Sequence, residues 1–481
     1  MAVNNENYYS FRDYIRNVEI SSYFRDTRKP NMYQANTDQL DTEQIEKIVN
    51  DYKRYWQNYY REIYNYSIGY NYKILHKQNQ EDSERNLNKK PVAYGKKIVD
   101  TTTNYLFNYP ATYKSQNGET LENLKRVQRL NNDYSVANAI GRDIITFGQS
   151  YKLFFQRDNG YVGYARISPE NAVAIYDYYV CPRMIGFIYF YNITDVDKNT
   201  DITKIEYYTG NNVQLYEYEG GQITLNKEMP HSFKQVPVAH YTREGFSGIL
   251  ESVIDIIDAI DTIFNANLDE VEKFASAYLV LKSQIEKISS DDLEDIKRMR
   301  TFQFKDDKAV LEYLTKDINN DFHDSVLDFA IQTLHKLSGV PDFESKEFSA
   351  QSGVALRYKL LGFENIASSV ESIYTQGEQK AIDLYLAYND LNWESREEYY
   401  KNNPENYVDI ELRRNLPIDI QEIINHAINL KAVGVSNKTI YEYIEPVTGI
   451  STNAEIERIQ DQEPDEEIEE LEETSENKDE L

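Results

Sequence analysis

The sequence predicts an α+β protein, mainly helical, in which helices, then strands, then helices again follow one another along the chain. Three observations predict it. Apolar residues recur at helical spacing over most of the first 150 residues, the period changes to strand alternation between 151 and 241, and helical spacing returns after 246. At 481 residues the chain is long enough for about two or three cores.

The first helix is expected over 42–64, where Ile45, Ile48, Val49, Tyr52, Trp56 and Tyr59 fall on one face. A polar run over 78–90 reads as a loop, and a helix over 92–107 ends before Pro110. Two hairpins follow, turning at Asp158-Asn159-Gly160 and at Gly220-Gly221, so 151–241 reads as a meandering antiparallel sheet. A helix over 246–275 has Ile249, Leu250, Val253, Ile256, Ile257 and Ile260 on one face and Glu251, Asp255, Asp258 and Asp261 on the other. It is a rod of roughly 45 Å with an acidic stripe.

Residues 276–318 read as a small mixed module: strands over 278–281, 301–304 and 309–314, with a helix capped near Ser290 or Asp291. A second helix covers 321–337, a loop follows, and a very long helix runs from Gly353 to about 392, with kinks possible at Gly362 and Gly377. After a strand over 407–412, short helices over 418–433 and 437–444 precede a tail in which twelve of the residues 461–481 are acidic. That tail is too charged to fold alone.

Composition excludes several function classes. A net charge of −28 argues against a protein that grips nucleic acid over a broad surface, because gripping requires Lys and Arg to neutralise phosphates. It leaves open a protein that lets nucleic acid pass. The 42 tyrosines, among them Tyr59, Tyr60, Tyr64, Tyr66, Tyr70 and Tyr72, read as packing and interface residues. No apolar run is long enough to span a membrane and the N-terminus has no signal-peptide pattern, so assembly in the cytoplasm is expected. The single Cys181 forbids an intrachain disulfide.

Catalytic motifs are missing wherever the sequence can be tested for them. There is no phosphate-binding GxxxxGK[ST], no GxGxxG, no HExxH, and Gly245-Phe246-Ser247-Gly248 lacks the last glycine of a nucleophile elbow. Cys181 with His231 or His240 is a conceivable nucleophile and base, but a lone cysteine beside Pro182 is more simply a packing residue. Asp195 to Glu206 has the ligand spacing of a calcium loop, yet Thr200 replaces the turn glycine and the flanks read as strands, which favours a solvated hairpin tip.

Four stretches read together, KKIVDTTTNYLFNYP (96–110), PVAHYTREGFSGILESVIDIIDAID (237–261), EKFASAYLVLK (272–282) and SGVALRYKLLGFE (352–364), and the order helix, small module, helix, loop, long helix, resemble the portal proteins of tailed double-stranded DNA bacteriophages, in particular long-tailed phages of Gram-positive hosts. The resemblance implies a head-to-tail connector in the virion, a ring of roughly twelve subunits around a central channel at one capsid vertex. It implies a wing (1–245 and 353–416), stem helices (246–275 and 319–338), a clip (276–318), a crown (417–460) and an acidic tail. Implied partners are double-stranded DNA, the terminase large subunit, a head-completion or adaptor protein, and the major capsid and scaffolding proteins; no cofactor, metal, catalysis or membrane is implied.

Under that resemblance the loop 339–352 is the tunnel loop beside DNA. Lys346 is the expected phosphate contact, with Phe343, Glu344, Glu347 and Phe348 as further candidates; alternatively Phe343 and Phe348 pack the loop against its neighbour. Channel-facing Glu251, Asp255, Asp258 and Asp261 would discourage DNA from sticking, since a carboxylate about 10 Å from a phosphate is repelled by only roughly 0.4 kcal/mol in water. Two rival readings are a cytoplasmic metal-dependent hydrolase with paired carboxylates and a non-enzymatic helical interaction protein with an acidic tail.

Overall fold

Helix α1 (Thr42–Tyr52), which follows the short strand β1 (Met32–Gln34), starts at a reciprocal cap: Asp41 accepts the Gln44 N–H and the Gln44 side chain accepts the Asp41 N–H. The expected helix over 42–64 continues through one π turn at Lys53–Gln57 into α2 (Asn58–Ser67), which keeps Ile45, Val49, Tyr52, Trp56, Tyr60 and Ile63 in the core. In this computed structural model the described residues are 32–77, 87–158, 160–195, 200–220, 222–243, 247–275, 278–282, 310–314, 320–345, 353–390, 393–415, 420–450, 452 and 454–460. The chain then forms α3 (Tyr72–Leu75), α4 (Tyr94–Phe107), β2 (Thr112–Ser115), α5 (Gly118–Leu130) and α6 (Asp133–Phe147).

The strand block comprises β3 (Gln149–Gln156), β4 (Val162–Ile167), β5 (Ala172–Tyr176), β6 (Met184–Asp195), β7 (Thr200–Tyr208), β8 (Asn212–Glu219), β9 (Gln222–Pro230) and β10 (Val238–Thr242). Both expected hairpins form, but the expected single meander divides into two sheets, ordered β1-β5-β6-β7-β8-β9 and β10-β3-β4. The break lies between β4 and β5, where Ser168 caps a 3-10 turn at Pro169–Asn171 and the chain leaves the first sheet. β10 then returns to pair with β3, and β1 adds in parallel to β5.

The expected helix over 246–275 begins later, as α7 (Ile254–Ala275), after a 3-10 turn at Ile249–Ser252. Gly248 explains the delay. Its backbone is extended, and a Cβ built there would meet the Thr146 carbonyl oxygen at 1.8 Å, so the chain must first pass flush against the end of α6. Strands β11 (Tyr278–Lys282) and β12 (Val310–Leu314) pair antiparallel; the expected helix near Ser290 and the strand over 301–304 lie outside the described residues.

Helix α8 (Asn320–Ser338) leads through the loop to α9 (Gly353–Asn389), an uninterrupted helix of 37 residues and about 55 Å. Neither glycine kinks it. Gly377 is a close-approach residue instead, because a Cβ there would lie 2.2 Å from the Tyr241 ring. Helix α10 (Arg396–Asn402) and strand β13 (Val408–Glu411), which pairs with β2, follow.

The described residues up to 414 form one compact unit and those from 415 a second. In the second, α11 (Ile420–Ala432) and α12 (Asn437–Thr448) are joined at Gly434, whose φ of 87° is the left-handed conformation glycine tolerates. The acidic tail lies outside the described residues. No helix among the described residues is long and apolar enough to cross a membrane.

Candidate functional site

The loop after α8 is built at its base by short-range hydrogen bonds. Gly339 takes φ of 65°, Val340 turns inward with 2% exposure, and its carbonyl lies 2.8 Å from His335 Nδ1. Asp342 organises the next turn by accepting the Glu344 N–H at 3.2 Å and the Ser345 hydroxyl, through its carbonyl, at 2.9 Å.

Two of the candidate loop residues face helices of the same chain. Phe343 meets Phe363 of α9 edge to face at 6.2 Å, and Phe363 in turn packs on Tyr105 of α4 at 4.6 Å. Glu344 pairs with Lys97 of α4 at 3.0 Å while its side chain stays 80% exposed. Phe343 therefore packs on α9 of its own chain. Lys346, Glu347 and Phe348 lie outside the described residues.

The acidic stripe is not uniformly solvated, because Asp261 is buried and Asp258 is partly covered and engaged by side chains. Asp258 accepts the Tyr66 hydroxyl at 2.6 Å and Asn71 Nδ2 at 2.9 Å, and meets Lys73 Nζ at 2.8 Å. Asp261 is 1% exposed and accepts Asn71 Nδ2 and the Val92 N–H, both at 2.8 Å. Asn265 clasps the Lys90 backbone in both directions at 2.8 Å, and Asp269 accepts the Asn88 N–H at 2.8 Å and its Nδ2 at 2.9 Å.

These four side chains, three or four residues apart, occupy one face of α7. They form a ladder. The segment 87–92 is neither helix nor strand, so its backbone groups need partners, and α7 supplies them from side chains. Burial pushes the Asp261 carboxyl above its usual range, against the opposing pull of the Val92 N–H and Asn71. Of the four acids, Asp255 is exposed and Glu251, in the 3-10 turn, is partly covered.

Sequence reasoning missed a second buried group that fixes α9. Lys152 of β3 is 1% exposed and reaches Glu378 of α9 at 2.7 and 3.0 Å; Glu378, 3% exposed, also accepts the Tyr241 hydroxyl at 2.6 Å and the Tyr113 hydroxyl at 3.2 Å. Asp133, at 3.5 Å from Lys152, accepts the Tyr164 hydroxyl at 2.7 Å. Burial by itself would lower the Lys152 pKa, but Glu378 and Asp133 outweigh it and hold it above the ordinary value. A signal was present: Glu378 stands four residues after Tyr374 and three before Ala381, in a run of core positions.

The other catalytic candidates are committed elsewhere. His240 lies 2.6 Å from the Tyr176 hydroxyl and 2.9 Å from Gln149 Oε1, and His231 is 3.0 Å from the Thr209 carbonyl, while Cys181 sits exposed in the turn before β6. Asp195 pairs with Thr200 across a β-hairpin, and Glu206 accepts the hydroxyls of Tyr191 at 3.0 Å and Tyr208 at 2.5 Å. Residues 196–199 lie outside the described residues, and among the described ones no three His, Cys, Asp or Glu side chains group as metal ligands.

The family described as "Phage portal protein, SPP1 Gp6-like" matches residues 38–476. A portal protein of Bacillus phage SPP1 is 23% identical over 218 residues, which is 42% of this chain and 43% of that protein, so the match spans less than half of the relative. Among solved structures, a chain from the neck of a native GTA particle computed with C12 symmetry superposes with a TM-score of 0.45 at 12% identity, covering 74% of this chain and 89% of that one.

Proposed function

Because the chain belongs to the SPP1 Gp6-like family of phage portal proteins, we propose that it forms a closed ring at one capsid vertex through which double-stranded DNA is packaged and later ejected. The family match over almost the whole described chain carries this reading. The order of elements supports it: α7, the β11–β12 pair, α8, the loop and the long α9 follow one another as a stem, clip, stem, tunnel loop and wing helix would.

In this reading residues 1–245 and 353–416 are wing, 417–460 crown, and the clip 276–318 docks the terminase and then the head-completion protein. Phe343 and Glu344 anchor the tunnel loop at its base, and the proposed phosphate contact is Lys346, with Glu347 and Phe348 as further candidates. Of the four stem acids proposed for the channel, Glu251, Asp255, Asp258 and Asp261, Asp255 is the exposed one, so among them repulsion of passing phosphates falls to Asp255, with Glu251 partly covered beside it. No observation favours the hydrolase: Asp258 and Asp261 are held by Asn71, Lys73 and the backbone of Val92.

The reading is tested by assembling capsids from their own capsid and scaffolding proteins with and without this chain, adding terminase, ATP and DNA, and measuring nuclease-resistant DNA. Protection is expected only when the chain is present. Equal protection in its absence refutes the proposal.

A further inference from the structure

The described chain contains an open cleft of about 320 Å³ between α5, α6, the turn before β2, and the end of β13. Its apolar wall consists of Phe107, Tyr109, Pro110, Ala111 and Leu412. A volume of this size holds one or two apolar side chains, at the low end of binding cavities.

The polar rim is one-sided. Lys125 and Arg129 stand on it, and the Arg413 guanidinium lies over the Tyr109 ring at 4.9 Å. Lys125 has only a long contact of 3.8 Å with Glu122, and Arg129 has no ion pair among the described residues. The carboxylate at the cleft, Asp133, is already turned to Lys152 and Tyr164. One lining side chain holds a covered polar atom without a hydrogen bond among the described residues, Gln128 Nε2, and it can donate.

The charges the cleft leaves available are thus cations, with an unmet donor beside them, in a chain whose net charge is −28. We infer that this cleft is a docking site for an acidic segment of a partner protein that inserts an aliphatic or aromatic side chain between Tyr109 and Leu412. Its carboxylates pair with Lys125, Arg129 and Arg413. The apolar anchor distinguishes such a segment from a free anion, and its negative charge from an ordinary hydrophobic peptide. The inference does not depend on the ring.

The test is fluorescence anisotropy of the labelled peptide Asp-Glu-Glu-Leu-Glu-Glu-Phe with the full chain in its native oligomeric state. Saturable binding is expected, weakening with added salt, and by about tenfold or more in the Lys125→Glu/Arg129→Glu variant. Ala111→Phe, which fills the cleft without touching the charges, should weaken it similarly, and so should replacing Leu and Phe of the peptide by Ser. Binding that is indifferent to all three changes, or competition by free glutamate as strong as by unlabelled peptide, overturns the inference. So does an assembled chain that binds no peptide because a second copy already fills the cleft.

Discussion

Replacing Glu378 by Ala leaves Lys152, at 1% exposure, without its main counter-charge, and leaves the Tyr241 and Tyr113 hydroxyls without their carboxylate acceptor. Breaking one side of a buried pair costs about 3–5 kcal/mol, because the remaining charge is uncompensated in a medium that solvates it poorly. Removing both partners as Lys152→Met/Glu378→Leu should cost less than the sum of the two single changes, since what then lacks partners is the two hydroxyls and the longer 3.5 Å contact of Asp133, which keeps the Tyr164 hydroxyl. Denaturant titration followed by tyrosine fluorescence, with hydrogen exchange of β3 and α9 as a local readout, gives the coupling energy from the four chains of the cycle. Single substitutions costing under about 1 kcal/mol each, with no coupling, would refute the claim that this pair fastens α9 to the sheet. The pH dependence has a definite sign. The Lys152 pKa is raised in the folded state, so the pair's contribution is complete below the ordinary lysine value and is lost only as pH rises through the raised one.

Asn265→Ala should remove the two-way clasp on Lys90, cost about 1–3 kcal/mol, and speed amide exchange across 88–92 while the far end of α7 is unaffected. Asp261 has a raised pKa, so its ionisation opposes folding. Acidification from neutral towards the usual carboxylate range should therefore stabilise the parent chain relative to Asp261→Asn, read as a difference in unfolding midpoint between the two against pH. Gly377→Ala should destabilise by about 1–3 kcal/mol because its Cβ would meet the Tyr241 ring at 2.2 Å, whereas Gly362→Ala, with nothing within 4 Å, should stabilise by about 0.5–1 kcal/mol; calorimetry separates them by sign. Lys97→Glu removes an exposed pair and should change stability by under about 1 kcal/mol, while hydrogen exchange of 341–345 rises.

Where local rules decide structure, the sequence was legible. The helix from Thr42, the hairpins at Gly160 and Gly220, and the succession α7, β11–β12, α8, loop, α9 follow from periodicity and turn chemistry. What was not legible depends on partners distant in the chain. The strand block read as one meander because nothing local tells β10 to return to β3, or β1 to join β5 in parallel. Alternation of acids with an apolar face reads as a solvated stripe until the segment 87–92, which needs acceptors for its backbone, is laid along it. Gly362 and Gly377 read as kink sites, yet one faces open space and the other makes room for Tyr241.

The most direct test of the portal reading is native mass spectrometry of the purified full chain, combined with negative-stain microscopy. The expected result is one dominant closed assembly of about twelve copies with an open axial channel. A stable monomer, or a two-fold dimer that does not grow at high concentration, would contradict it.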